Sequence, residues 1–242
     1  MTRKELEVAL KARKFDFHGV DLSNADLSGL NLQRVRFVGA DFHAANLKGA
    51  DLSGARIQKA NLQKANLSGA DLTKADLRVT NLQGADLAEA NLLMANLSEA
   101  DLSGASLQKA YLFGASLQRA NLQGANLSGA DLRNAILFRA NLRDVNFSGA
   151  DLSGADLANA NLYKANLEMT DLSKAHLEMA DLQEVNLQGA NLELADLSGA
   201  NLQGANLEGA YLLLTRLQGA NLRESSIHKA RLIRTSLDGA LR

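Results

Sequence analysis

His18, His43, His176 and His228 are the side chains of this 242-residue sequence best suited to proton transfer near neutral pH or to metal binding through nitrogen. They are scattered, and none stands in a spacing such as His-Glu-x-x-His that would set two ligands on one face. The sequence has no cysteine, which excludes thiol catalysis, thiolate metal sites and disulfides. Glycine recurs singly and never as Gly-x-Gly-x-x-Gly, so no phosphate-cradling loop is present. The carboxylates offer acid–base chemistry in principle. However, Asp26, Asp51 and their counterparts recur at a fixed interval, as expected of a short side chain that bonds to its own nearby backbone. The expectation is a chain with no catalytic, cofactor-binding or metal-ligating residue. With 26 Lys and Arg against 27 Asp and Glu, it also lacks the basic footprint of a nucleic-acid binder.

The interval is five. Every fifth residue from Phe17 to Leu237 is apolar: of 45 such central positions, 39 are Leu, four are Phe and two are Ile. Two residues earlier stands Ala in 34 cases, one residue earlier Asp or Asn in 33, and all 19 glycines fall two residues later. The register runs through residues 15–239 without insertion or deletion. On an α-helix a five-residue step turns ~500° and spreads the leucines round every side. A continuous strand would alternate them between faces. Within one unit, Ala and Leu lie two apart and share a face, with Asp or Asn opposite. The pattern repeats only if the chain turns a corner in the last two residues, where a left-handed conformation suits Gly. The chain therefore winds as a polygon, with Leu and Ala inside, and stacks into a solenoid. The absence of Pro agrees, since an average chain would carry roughly 5% and Pro cannot donate to a ladder. The outward apolar residues leave the number of sides open: Leu93/Phe113 and Leu213/Ile233 pair at 20 residues, but Tyr111/Ile136 and Phe138/Tyr163 pair at 25.

Units such as Ala25-Asp26-Leu27-Ser28-Gly29 and Ala200-Asn201-Leu202-Gln203-Gly204 resemble those of the pentapeptide-repeat proteins. The resemblance implies an all-β, right-handed quadrilateral β-helix with four units per coil, hence about 11 coils and a rod roughly 54 Å long at ~4.8 Å per coil. That family includes DNA mimics that protect gyrase, among them the quinolone-resistance type, and many bacterial members. Quinolone-resistance members usually carry loops that interrupt the helix, and this sequence has none.

Residues 1–14 stand outside the register and 15–242 form the repeat region. Thr2-Arg3-Lys4-Glu5 has capping-box spacing, and Leu6, Val8, Ala9, Leu10 and Ala12 supply an apolar side. The expectation is a helix over residues 2–14 covering the first coil's open edge. No such segment follows the last unit, and the family resemblance points to a homodimer through the C-terminal coils. With four-sided coils, Leu194, Tyr211, Leu213, Leu214 and Ile233 share one face and form a candidate interface; Leu93, Met94, Tyr111 and Phe113 form a second patch on it. His176 would stack between Asp156 and Asp196. Charge is uneven: residues 144–208 carry 11 Asp and Glu against 2 Lys and Arg, and residues 209–242 carry 6 Lys and Arg against 2 acids. The longest wholly apolar run, residues 210–214, is too short to span a membrane. Together these observations predict a cytoplasmic, non-enzymatic scaffold for an unidentified protein partner, binding neither nucleic acid nor membrane. The alternative is a DNA-mimicking regulator of gyrase or topoisomerase that presents the acidic 144–208 segment.

Overall fold

A computed structural model describes residues 1–241. The chain opens with one helix, α1 (Arg3–Lys11), and continues as a ladder of parallel bridges that always join residues 20 apart, from Asp16 to Arg36 up to Asn221 to Leu241. Twenty residues are four five-residue units, so the coil has four sides, which decides what the outward residues left open. Side 1 carries Phe17 through Leu237 at its centres, side 2 Leu22 through Leu222, side 3 Leu27 through Ile227, and side 4 Leu32 through Leu232.

The unit Asn121–Ala125 shows why this sequence closes the coil. Leu122 N–H donates to Asn141 O (2.8 Å) and Gly124 N–H to Arg143 O (2.9 Å), both one coil onward, while Asn121 N–H donates back to Ala100 O (2.9 Å). The corner is a turn closed by Ala125 N–H to Leu122 O (2.9 Å). The remaining N–H, of Gln123, is taken by Asn121 Oδ1 (3.3 Å). All five amides of the unit are thereby satisfied, which explains the Asp or Asn at that position. Gly124 has φ +68, and positive φ at the third turn residue is the signature of a type II turn. Every corner residue from Gly19 to Gly239 shares this positive φ, whether or not it is glycine.

The central residues and the Ala positions form one continuous core, buried almost completely from Leu32 to Ala220, while Val20, Ala25 and Leu30 of the first coil are only partly covered. Thr80, Thr170 and Thr215 replace Ala inside. Their hydroxyls donate to the backbone oxygens of Leu77 (2.6 Å), Phe147 (2.9 Å) and Leu192 (2.7 Å), so no donor is stranded in the axis.

The helix is shorter than the 2–14 expected. Thr2 and Glu5 form the capping box, and the chain leaves α1 where Arg13 takes φ 59 and its N–H returns to Leu10 O (2.9 Å). Leu6 is the one fully buried residue of α1 and joins the same core as Phe17 and Phe37, whose rings stack on each other (5.7 Å between centroids). Val8 points away and is 67% exposed, contrary to its expected place on the covered side. The N-terminal ammonium donates to Asp21 O (2.6 Å), and Arg3 Nη1 donates to Ser28 O (3.2 Å), so cations cap the first coil's carbonyl edge. At the other end, a hollow of about 250 Å³ opens inside the last coil, walled by leucines such as Leu212, Leu217 and Leu232.

Candidate functional site

Apart from the hollow in the last coil, whose wall is almost wholly apolar, the axis is filled, so the polar and exposed groups available for recognition lie on the outer sides. The outward residues are the Asx position, the residue after the centre and the left-handed corner, and stacking arranges each kind in a column. On side 4 two stretches of these columns are apolar where the rest are polar.

Leu93, Tyr111 and Phe113 line a shallow hollow with Asp131 and Arg133, and Met94 N–H donates to Phe113 O (3.0 Å). Five coils further, Tyr211 and Leu213 line a second with Asn191 and Glu193, and Leu194 N–H donates to Leu213 O (2.9 Å). Leu214 N–H in turn donates to Ile233 O (2.9 Å), which brings the ninth expected residue into the group. All nine residues therefore lie on side 4, in two clusters. Tyr111 is 57% exposed and Tyr211 44%.

Each cluster also carries a cation that the sequence reading missed. The Arg133 guanidinium lies 5.6 Å from the Phe113 ring centre, and that of Arg231 lies 4.8 Å from the Tyr211 ring centre. Both pairs are 20 residues apart, so only a coil of known length could have revealed them. Such contacts are worth about 0.5–1 kcal/mol at exposed sites, and they hold the rings in place. Arg133 also donates to Asp131 (Nη2 to Oδ2, 2.6 Å) and keeps that carboxyl below its ordinary pKa, despite the opposing effect of partial burial.

The other candidates do not converge. His18 and His176 lie on side 1, His43 on side 2 and His228 on side 3. His176 does stand in the ladder between Asp156 and Asp196, but its Nδ1 lies 3.3 Å from Glu178 Oε1 instead. Among the described residues no group of His, Asp and Glu is placed to hold a metal ion, and no helix is long and apolar enough to cross a membrane. The acidic residues of 144–208 distribute over all four sides: Asp156, Glu178 and Asp196 on side 1, Asp144, Asp181 and Glu184 on side 2, Glu168 and Glu208 on side 3, and Asp151, Asp171 and Glu193 on side 4.

The family model of pentapeptide repeats matches in eight copies between residues 16 and 241. The chain is similar to HetL, a pentapeptide repeat protein involved in heterocyst differentiation regulation from the cyanobacterium Nostoc sp. strain PCC 7120, with 36% identity over 99% of this chain and 96% of that one and a TM-score of 0.42. It is also similar to full-length QnrB1, a plasmid-mediated fluoroquinolone resistance protein, at 18% identity over 93% of this chain and 92% of that one, TM-score 0.40. A third similar structure is the pentapeptide repeat protein Rfr23 from the cyanobacterium Cyanothece 51142, at 32% identity over 56% of this chain and 90% of that one, TM-score 0.29. No curated protein matches the chain.

Proposed function

The chain belongs to the pentapeptide-repeat family, whose fold is a right-handed quadrilateral β-helix, and from that premise we propose that it works as a non-enzymatic scaffold that binds protein. The observation that carries this reading is the pair of exposed apolar clusters on one side of a rod whose axis is packed with apolar side chains. Clustered exposed apolar surface marks contact sites, whereas single exposed residues such as Val79 are ordinary. A catalytic reading lacks a concavity in which polar groups converge. The cluster at Leu194, Tyr211, Leu213, Leu214 and Ile233 is the first surface proposed for a partner, and that at Leu93, Met94, Tyr111 and Phe113 the second. A cytoplasmic setting and about eleven coils are part of the same proposal.

The test is quantitative partner capture with the intact protein and with variants in which each cluster is changed to Lys at two positions, Leu213 and Ile233 or Leu93 and Phe113. The scaffold reading expects a defined set of proteins that is lost with one or both variants while the fold persists. Capture indifferent to both variants would contradict it. The competing reading, a DNA mimic acting on gyrase, has the acidic 144–208 segment in its favour. Spreading those acids over four sides gives no single side the continuous charge of a duplex. Inhibition of supercoiling at stoichiometric protein would nevertheless establish it.

A further inference from the structure

We propose that two copies of this chain associate antiparallel, side 4 against side 4, so that the mid-rod cluster of each meets the C-terminal cluster of the other. The inference rests on the scaffold reading and names its first partner as a second copy.

The two clusters are related by a displacement along the rod. Tyr111 and Tyr211 occupy the same column five coils apart, or about 24 Å at ~4.8 Å per coil. A twofold axis lying in the interface, along the strand direction and midway between the coils of Leu152 and Leu172, reverses the order of coils and keeps every column on itself. The coil of Leu112 then meets the partner's coil of Leu212, and the coil of Leu92 meets that of Leu232. Tyr111 is set against the partner's Tyr211, Phe113 against the partner's Leu213, and Leu93 against the partner's Ile233. Bulky residues also meet small ones: Gly114 faces the partner's Leu214. On the corner column shared with side 3, Gly149 faces the partner's Met169.

Charge chooses this arrangement over its alternative. In the antiparallel register Arg133 faces the partner's Glu193, and Glu89 faces the partner's Lys229. The one opposition is Asp151 against the partner's Asp171; Asp151 already has Arg133 Nε 3.7 Å away, and Lys174 occupies the corner next to Asp171. The parallel arrangement, with the axis along the rod, brings Arg133 beside its own mate, does the same to Glu193, and sets Arg231 against the partner's Arg234. Like charges brought together at an interface are strongly unfavourable. The antiparallel contact spans eight coils, or about 38 Å, and it is self-complementary, as a twofold interface must be.

A chain without cysteine allows a direct test. Full-length Phe113→Cys and Leu213→Cys chains, each alone and mixed, are exposed to a short bis-maleimide. The proposal expects cross-linked dimer from the mixture and little from either alone. Sedimentation should show a dimer of the native protein, weakened at least about tenfold by Arg133→Glu and recovered in Arg133→Glu/Glu193→Arg, with unchanged circular dichroism for both. Phe113→Cys cross-linking to itself would overturn the antiparallel register. A dimer indifferent to Arg133→Glu would place the contact elsewhere, at the C-terminal coils for example. A native monomer at the highest attainable concentration would overturn the proposal while leaving the scaffold reading to the partner-capture experiment.

Discussion

Asn186 stands one coil above Asn166 and donates its side-chain amide to Asn166 Oδ1 across 3.1 Å. The same oxygen also accepts the backbone N–H of Glu168 (3.2 Å), and the Asn166 amide donates downward to Asn146 Oδ1 (3.3 Å). The chain of amides continues from Asn126 to Asn206 on side 3. One side chain thus closes its own corner and ties three coils together.

Asn166→Ala removes all three bonds from a half-buried position, and should cost about 1–3 kcal/mol. Chemical denaturation measures this directly. Asn166→Asp keeps the acceptor but loses the donor to Asn146, so it should cost less than Ala at neutral pH. Equal stability of the alanine variant and the native protein would mean that water replaces the ladder without loss.

Leu122 is fully buried at mid-rod. Leu122→Ala should cost about 2–5 kcal/mol through lost burial and the cavity left behind. Leu122→Asp should disrupt the neighbouring coils altogether, because the axis offers a carboxylate no partner. A native-like melting temperature for the aspartate variant would mean that the inside and outside of the coil are reversed.

Val79 is a β-branched residue at φ 59, a conformation that strains side chains of its kind. It is half exposed and contributes little burial in return. Val79→Gly should therefore raise stability by about 1 kcal/mol. The reverse change at Gly124, where an added Cβ would meet nothing within 4 Å, should lower it by about 1–2 kcal/mol through backbone strain alone. Opposite signs in thermal melts are the expected result.

Several aspartates are held below their ordinary pKa of 3.8: Asp21 by the backbone N–H and hydroxyl of Ser23, Asp26 by the Ser28 hydroxyl and backbone N–H, and Asp131 by the Arg133 guanidinium. A carboxyl with a lowered folded pKa contributes stability that is complete above its unfolded value and disappears as pH falls through the folded one. The melting temperature should thus be insensitive to these groups above about pH 5 and should decline on acidification below about pH 4. A rise in stability on acidification through that range would contradict the corner bonds described above.

The inside of the coil was legible in the sequence because Ala and Leu at one interval leave a single way to share a face. The count of sides was not, since Leu93/Phe113 and Tyr111/Ile136 argue for different lengths, and each pair is only a pair of exposed residues that need not touch. Glycine placed the corners correctly but understated them. Lys64, Glu99 and Val79 turn left-handed as Gly19 does, because the coils above and below impose the turn whatever its local preference. Both clusters on side 4 could be named from outward apolar positions once four sides were assumed. Their cations could not, because Arg133 and Arg231 look like ordinary surface charge until a full coil brings each over a ring.

The hydrogen bonds between coils are unequal in direction: each unit sends two amides toward the C-terminal end and one back. Peptide dipoles along the rod therefore add instead of cancelling, with the positive pole toward the C-terminal coils, the reverse of an α-helix. A cut at any height would expose two unlike surfaces, one rich in N–H donors and one rich in carbonyl acceptors. Stacking one coil on the next is thus a directional act, like adding a link to a chain whose hooks all point one way. An anion travelling along the surface would find the C-terminal pole the more hospitable, and a cation the other, as Arg3 and the N-terminal ammonium already do.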